Sequence, residues 1–282
     1  MRSILFTPAL QIERFERVLD SGADICLLDL EDSVAEERKR DAREMLRSYL
    51  SAPASAGTRL AVRINASDTE HIQDDLLAIR QCARVPEFIV IPKVESAQDI
   101  AAVRWMLDSF AAKIELIALI ETVAGICNVK QIAATVPRVA ALMFGAADYT
   151  RSLGAEICWD TLLIPRSDIV LAARLYGIRA IDTPFFDIPD IDGLHEDCLK
   201  VRKLGFNGRC VIHPSQLATI NEAFSYSAAA IERARRIVEA ASASGGNICK
   251  VDGQMVGAPI IEQARSVLAA AHAERSAGEK FR

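Results

Sequence analysis

Three carboxylate-bearing segments carry most of the chemistry open to this sequence. ICLLDLED supplies Asp29, Glu31 and Asp32, IELIALIE supplies Glu121, and AALMFGAAD supplies Asp148, each at the end of an apolar run. Carboxylates gathered at one mouth repel one another unless they are protonated or bridged by a cation. Oxygen ligands without a neighbouring His or Cys suit a hard ion, which points to Mg²⁺ held by Glu121 and Asp148 rather than to zinc. Two further runs end in fixed positive charge, Arg63 in LAVRIN and Lys93 in FIVIPK. That pairing implies an anionic substrate. The planar fork of Arg63 can hold a carboxylate or a developing enolate oxygen through two donors, which makes it the candidate electrophilic stabiliser.

Structural roles for the same residues stand beside these. A carboxylate after an apolar run can cap the next helix or pair with a nearby cation. Glu31 and Asp32, followed by Ser33 and a helical stretch, fit a cap as well as they fit chemistry. Lys93 can pair with Glu95 or with a neighbouring strand end, and His213, before Pro214, can serve only to fix its loop. Glu121 and Asp148 are harder to explain as structure, because two carboxylates at adjacent strand ends in apolar surroundings are costly to bury.

The elements that must position these groups alternate along the chain. Short apolar runs read as buried parallel strands, and longer stretches of helical periodicity and mixed charge separate them. The strand candidates are Ser3 to Pro8, Ile25 to Glu31, Leu60 to Asn65, Phe88 to Val94, Ile114 to Thr122, Ala141 to Asp148, Ala180 to Phe185 and Gly208 to His213. An open doubly wound sheet shows the same alternation, but eight regular βα units in about 225 residues favour an α/β fold of the closed (β/α)8 TIM-barrel type, in which side chains at the C-terminal strand ends face the active site. The expected organisation is a catalytic barrel over residues 1–226 and a helical extension over 227–282, serving as a lid or subunit contact. That extension begins with a helix over Ala228 to Ala243, breaks at Ser244-Gly245-Gly246-Asn247, and resumes helical periodicity from Pro259. No Gly-x-Gly-x-x-Gly follows the first strand and no Walker-type loop is present, so a nucleotide-driven mechanism loses support.

Composition narrows the class further. The 282 residues, 51% hydrophobic, suffice for one large α/β domain and a short extension. With 33 basic and 38 acidic residues and no long basic run interleaved with aromatics, nucleic acid is not an expected partner. Seven cysteines without a C-x-x-C pair form neither a disulfide framework nor a zinc pattern, which fits a reducing cytoplasm. Glu13 and Arg14 interrupt the N-terminal apolar run too early for a signal-peptide core, and no apolar stretch reaches membrane-spanning length.

The segments LFTPALQIERFERVLDSGAD, LLDLEDSV, VRIN, IPKVES, LIETVAG, FGAADYTRSLG, IPRSDIVLAARLYGIRAID and GFNGRCVIHPSQL, in this order and spacing, resemble the HpcH/HpaI aldolase/citrate lyase superfamily and its citrate lyase β-subunit-like members. The resemblance runs from the first strand to the tail near Leu268. It implies a barrel that binds Mg²⁺ through Glu121 and Asp148, contacts substrate through Arg63, and uses Asp29 and Asp32 to support water at the metal. CoA thioesters are the implied substrates, with Thr7, Pro8 and the His213-Pro214 loop near the thioester arm or nucleotide. The implied reaction is Claisen-type cleavage of a citramalyl-, malyl- or citryl-CoA type thioester to acetyl-CoA and a 2-oxo acid. An aldolase acting on a free 2-oxo acid, or a non-catalytic binder, are the rival readings. A homotrimer or homohexamer is also implied, the C-terminal segment covering a neighbour's site. Two departures matter: Gly257 in DGQMVGAP stands where many relatives carry Asp, and Ala9-Leu10 stands where relatives often carry Gly and a polar residue.

Overall fold

The protein is described from a computed structural model, which covers residues 1–52, 59–108, 113–244 and 248–279. Of the expected break in the extension, Gly245-Gly246-Asn247 lies outside the described residues. Eight parallel strands close into a barrel in sequence order, with β8 pairing back on β1. They are β1 (Ser3–Pro8), β2 (Ile25–Asp29), β3 (Arg59–Arg63), β4 (Phe88–Ile91), β5 (Glu115–Ile120), β6 (Ala141–Phe144), β7 (Arg179–Asp182) and β8 (Gly208–Val211). The helices are α1 (Ile12–Val18), α2 (Lys39–Ser51), α3 (His71–Arg80), α4 (Ala97–Asp108), α5 (Val123–Cys127), α6 (Val129–Ala133), α7 (Ala146–Leu153), α8 (Trp159–Tyr176), α9 (Ile191–Leu204) and α10 (Leu217–Phe224). Among the described residues, no helix is long and apolar enough to cross a membrane.

Strand sequences read as continuous apolar runs because both faces are buried. Alternate residues point to opposite sides of a strand. Ile4, Ile25, Leu27, Ala61, Phe88, Val90, Ile117, Leu119, Ala141, Met143, Ile181 and Cys210 fill the barrel interior. Their neighbours Leu5, Cys26, Leu28, Val62, Ile89, Leu116, Ala118, Leu142 and Val211 pack in the outer layer that includes residues of the helices. The inward register runs to the strand ends and beyond: Leu27 leads to Asp29 and Ala61 to Arg63 at the ends, and Leu119 to Glu121, Met143 to Gly145 and Ile181 to Thr183 just past them. The interior pattern therefore delivers polar side chains to the C-terminal mouth.

Most strands stop earlier than their apolar runs. β2 ends at Asp29 rather than Glu31, β6 at Phe144 rather than Asp148, and β8 at Val211 rather than His213. Asp148 is thus not a strand-end residue but lies in the first turn of α7. The physical reason is that residues just beyond a strand stay packed, Leu30, Ile64 and Val94 in the layer beneath the helices and Ile212 at the cavity, so hydrophobicity outlasts the regular strand.

The chain divides between Phe224 and Ser225 into two compact units. The second contains α11 (Ala228–Ala243), a two-stranded antiparallel hairpin of β9 (Cys249–Val251) and β10 (Gln254–Val256), and α12 (Ala258–Glu279). Ala234, Ile237, Ala241, Val251, Val256, Ile261 and Ala264 form its own core. The hairpin turns at Asp252-Gly253, both with positive φ, as a two-residue Asp-Gly turn requires.

Candidate active site

Arg63 is the centre of the charged cluster at the barrel mouth. Its Nε and Nη2 donate to the two oxygens of Asp29, both at 2.7 Å, and its Nη1 lies 2.8 Å from Glu31 Oε2. Asp29 also accepts the backbone N–H groups of Glu31 and Ser33. Burial opposes ionisation of Asp29, but Arg63 and these donors outweigh it and hold the carboxyl below its usual range. Burial likewise opposes charge on Arg63, and Asp29, Glu31 and Glu121 more than restore it. The guanidinium is a fixed cation whose direction is set by a two-point clamp.

Lys93 follows β4 with its backbone in the left-handed region, at φ 50°. This turn points its N–H at Glu121 Oε1, 2.9 Å away, while its ammonium pairs with Glu31 and Asp32. Behind the β2 loop, Lys39 Nζ donates to the carbonyls of Leu30 and Glu31 and to Asn65 Oδ1, at 2.9, 2.8 and 2.6 Å. The loop bearing Glu31 and Asp32 is therefore held through its backbone by the buried Lys39 and through its side chains by the half-buried Lys93.

Glu121, 3% exposed, and Asp148 line the same cavity as Arg63 and Asp32, a space of about 170 Å³. Burial is the main influence on Glu121, and Glu31 and Asp148 add to it, so that the carboxyl is pushed up to about 8 despite Arg63. Oε2 of Glu121 and Oδ2 of Asp148 accept no hydrogen bond among the described residues, Asp148 Oδ1 being taken by Arg151 at 2.6 Å. In the cluster around Arg63, the carboxyl groups of Asp29, Glu31, Asp32, Glu121 and Asp148 outnumber the cations Arg63, Lys93 and Arg151. Open oxygens on Glu121 and Asp148, in a cluster whose carboxyl groups outnumber its cations, fit a hard divalent cation. Phe6, Leu119, Met143, Phe144, Pro184, Phe186 and Ile212 make the remaining walls largely apolar.

The profile of the HpcH/HpaI aldolase/citrate lyase family matches residues 2–214. The chain belongs to that family. Among its relatives is a (3S)-malyl-CoA thioesterase of Cereibacter sphaeroides, 36% identical over 96% of this chain and 95% of that protein. A mitochondrial citramalyl-CoA lyase of Mus musculus is 30% identical over 95% of this chain and 85% of that protein. The structure of CitE from Mycobacterium tuberculosis in complex with magnesium, acetoacetate and coenzyme A superposes with a TM-score of 0.82 at 34% identity, covering 96% of this chain and 98% of that one.

Within this citrate lyase-family barrel, the structure brings Arg63, Glu121, Asp148 and Asp32 together around one cavity. Asp29 lies behind Arg63, with both oxygens engaged. Glu31 and Asp32 face Arg63 and Lys93 rather than capping a helix, and Lys93 pairs with the loop after β2, two strands away, rather than with Glu95 or a neighbouring strand end. Thr7 and Pro8 end β1 and are not among the cavity-lining residues. His213 Nδ1 takes the N–H of Ser215, which fixes the turn after β8. Residues that the sequence reading passed over are Lys39, Gly145 and Thr183. The inward register from Met143 and Ile181 was the available signal for the last two.

A second group, Glu36, Glu70 and His71, brings ligating atoms within 4.8 Å of one another, but both glutamates are exposed and Glu36 already pairs with His71.

Proposed function

We propose that the chain catalyses the Mg²⁺-dependent cleavage of a 3-hydroxyacyl-CoA thioester of the citramalyl-, malyl- or citryl-CoA type, yielding acetyl-CoA and a 2-oxo acid. The observation that carries this reading is a clamped guanidinium, Arg63, sharing one cavity with two open carboxylates, Glu121 and Asp148. Membership of a lyase family, the citramalyl-CoA lyase relative and the magnesium- and coenzyme A-bound neighbour support it.

Glu121 and Asp148 would hold Mg²⁺, which supplies Lewis acidity at the substrate hydroxyl and at the carbonyl that replaces it. In the cleavage, the hydroxyl gives its proton to solvent, the carbon–carbon bond breaks, and its electron pair passes to the thioester as an enolate, which takes up a proton from solvent to give acetyl-CoA. Arg63 stabilises that enolate, at the point where charge develops and where a preorganised donor has most effect. Asp29 keeps Arg63 aligned and ionised. Lys93 neutralises Glu31 and Asp32 and orients Glu121 through its N–H. Thr7, Pro8 and His213, at the ends of the paired strands β1 and β8, flank the thioester arm in this reading.

Protonation of the enolate requires an acid, and Gly257 cannot supply one. Glycine is not required there by space, since an added Cβ would meet only Ile248 Cγ1, at 4.0 Å. A carboxylate at this position is compatible with the local backbone.

The test is release of 2-oxo acid from citramalyl-, malyl- and citryl-CoA, with and without Mg²⁺, comparing wild type with Glu121→Gln. We expect Mg²⁺-dependent release from one of the three, lowered roughly a hundredfold or more by the substitution, because a bound ion contributes several kcal/mol of charge stabilisation. No release from any thioester would sink the lyase reading. Appearance of free CoA with the hydroxy acid intact would replace it with thioester hydrolysis.

A further inference from the structure

We propose that the Thr183 hydroxyl is a substrate-binding donor, giving its proton to an anionic oxygen of the 2-oxo acid unit held in the cavity. The inference rests on the proposed reading of the site and adds to it a contact for the acid half of the substrate.

Thr183 follows β7 directly. Its neighbour Asp182 points outward, so the strand register turns Thr183 inward with Ile181. It is 2% exposed and lines the cavity with Arg63, Glu121 and Asp148. Its Oγ1 accepts the N–H of Ala146 at 3.0 Å. A threonine hydroxyl has one proton and two lone pairs. Holding Ala146 commits one lone pair and restrains rotation, so the proton must point elsewhere. Among the described residues no acceptor takes it. A buried donor left unpaired is unfavourable by more than a made bond is favourable. A ligand oxygen in the adjoining cavity is the acceptor that completes the group.

The donor is also well anchored. The carbonyl of Thr183 accepts from Arg209 Nε at 2.9 Å. Arg209 is fully buried and pairs with Asp197 and with Asp182, the latter at 2.7 Å. Arg166 clasps both oxygens of Asp182, at 3.0 and 2.9 Å. The residue is thus held through its backbone by an ion network behind β7 and β8, and through its side chain by the first residue of α7. A donor fixed before the ligand arrives needs no reorganisation when it binds.

Because α7 carries Asp148, Thr183 has two separable roles. Its lone pair steadies the metal-binding arm, and its proton contacts the substrate. Calorimetry distinguishes them. Affinity for Mn²⁺ alone reads the arm, and affinity for pyruvate or oxaloacetate at saturating Mn²⁺ reads the donor. Thr183→Val keeps the shape and removes the hydroxyl, and Thr183→Ser keeps the hydroxyl. We expect Thr183→Ser to bind both acid and metal within about threefold of wild type. Thr183→Val should bind the acid roughly 10- to 100-fold more weakly, the range of a lost hydrogen bond to a charged group, with a clearly smaller change for Mn²⁺. Thr183→Ala, with the same expectation, replaces valine if the latter fails to fold. Unchanged acid affinity in the valine or alanine variant overturns the proposal. Equal losses for metal and acid also overturn it, leaving Thr183 a positioning residue only. A wild type that binds neither acid in the presence of Mn²⁺ instead removes the parent reading, and this contact with it.

Discussion

At the scale of single residues, the site is limited by close approaches. A Cβ at Gly145 would lie 2.5 Å from Glu121 Oε2 and 2.6 Å from Glu121 Cβ, so any other residue there displaces the carboxylate. We expect Gly145→Ala to bind Mg²⁺ at least roughly tenfold more weakly by calorimetry, in line with losses of groups that orient metal ligands. Unchanged affinity would show that Glu121 is not held where the ion needs it. Arg63, Glu121 and Asp148 were legible in the sequence as polar residues that interrupt or end apolar runs. Gly145 and Thr183 were not, because their types are ordinary in loops and only strand register reveals that they face inward.

At the scale of elements, β1 and β2 are joined at their N-terminal ends by Asp24. It takes the backbone N–H of Arg2 at 2.6 Å and the Arg2 guanidinium at 2.7 Å. Burial works against the charge of Asp24, but the bonds from Arg2 prevail and hold its carboxyl down at about 2, against an ordinary 3.8. A carboxylate with a lowered folded pKa contributes its stability above the unfolded value and loses it as pH falls through the folded one. The contribution is about 2 kcal/mol by linkage. We expect the difference in urea stability between wild type and Asp24→Asn to be full at pH 6 and to close between about pH 4 and pH 2. A difference that stays constant through that window would exclude Asp24 as its source. The eight strands were legible as short apolar runs and the helix over Ala228–Ala243 from its periodicity. The strand ends were not, since Leu30, Ile64 and Val94 stay apolar to pack in the layer beneath the helices and Ile212 to line the cavity. The β9–β10 hairpin escaped because its strands are too short for an alternation to declare itself, although Asp252-Gly253 is a hairpin turn signal.

At the scale of the whole molecule, the association state is read from the mass in solution. We expect a homo-oligomer, with light scattering on the eluted protein giving three or six times the 30.8 kDa of one chain. A single-chain mass at working concentration would remove that expectation and any role for the second unit at a neighbour's site. Two of the barrel's charged clusters differ in kind, the ligand-facing cluster at the mouth and the Arg166–Asp182–Arg209 network behind β7 and β8. The first is open to a substrate and the second is closed. Unpairing one member of a closed network strands the other charge, so its members change together or not at all.

The left-handed backbone at Lys93 has an evolutionary consequence. Glycine or asparagine would occupy that conformation with less strain than lysine. Selection for thermal endurance alone would therefore drift toward these residues at position 93, while selection for turnover would retain the ammonium that offsets Glu31 and Asp32. One codon lies where the two pressures part, and its retention of lysine in a library of active variants would record which of them shaped the site.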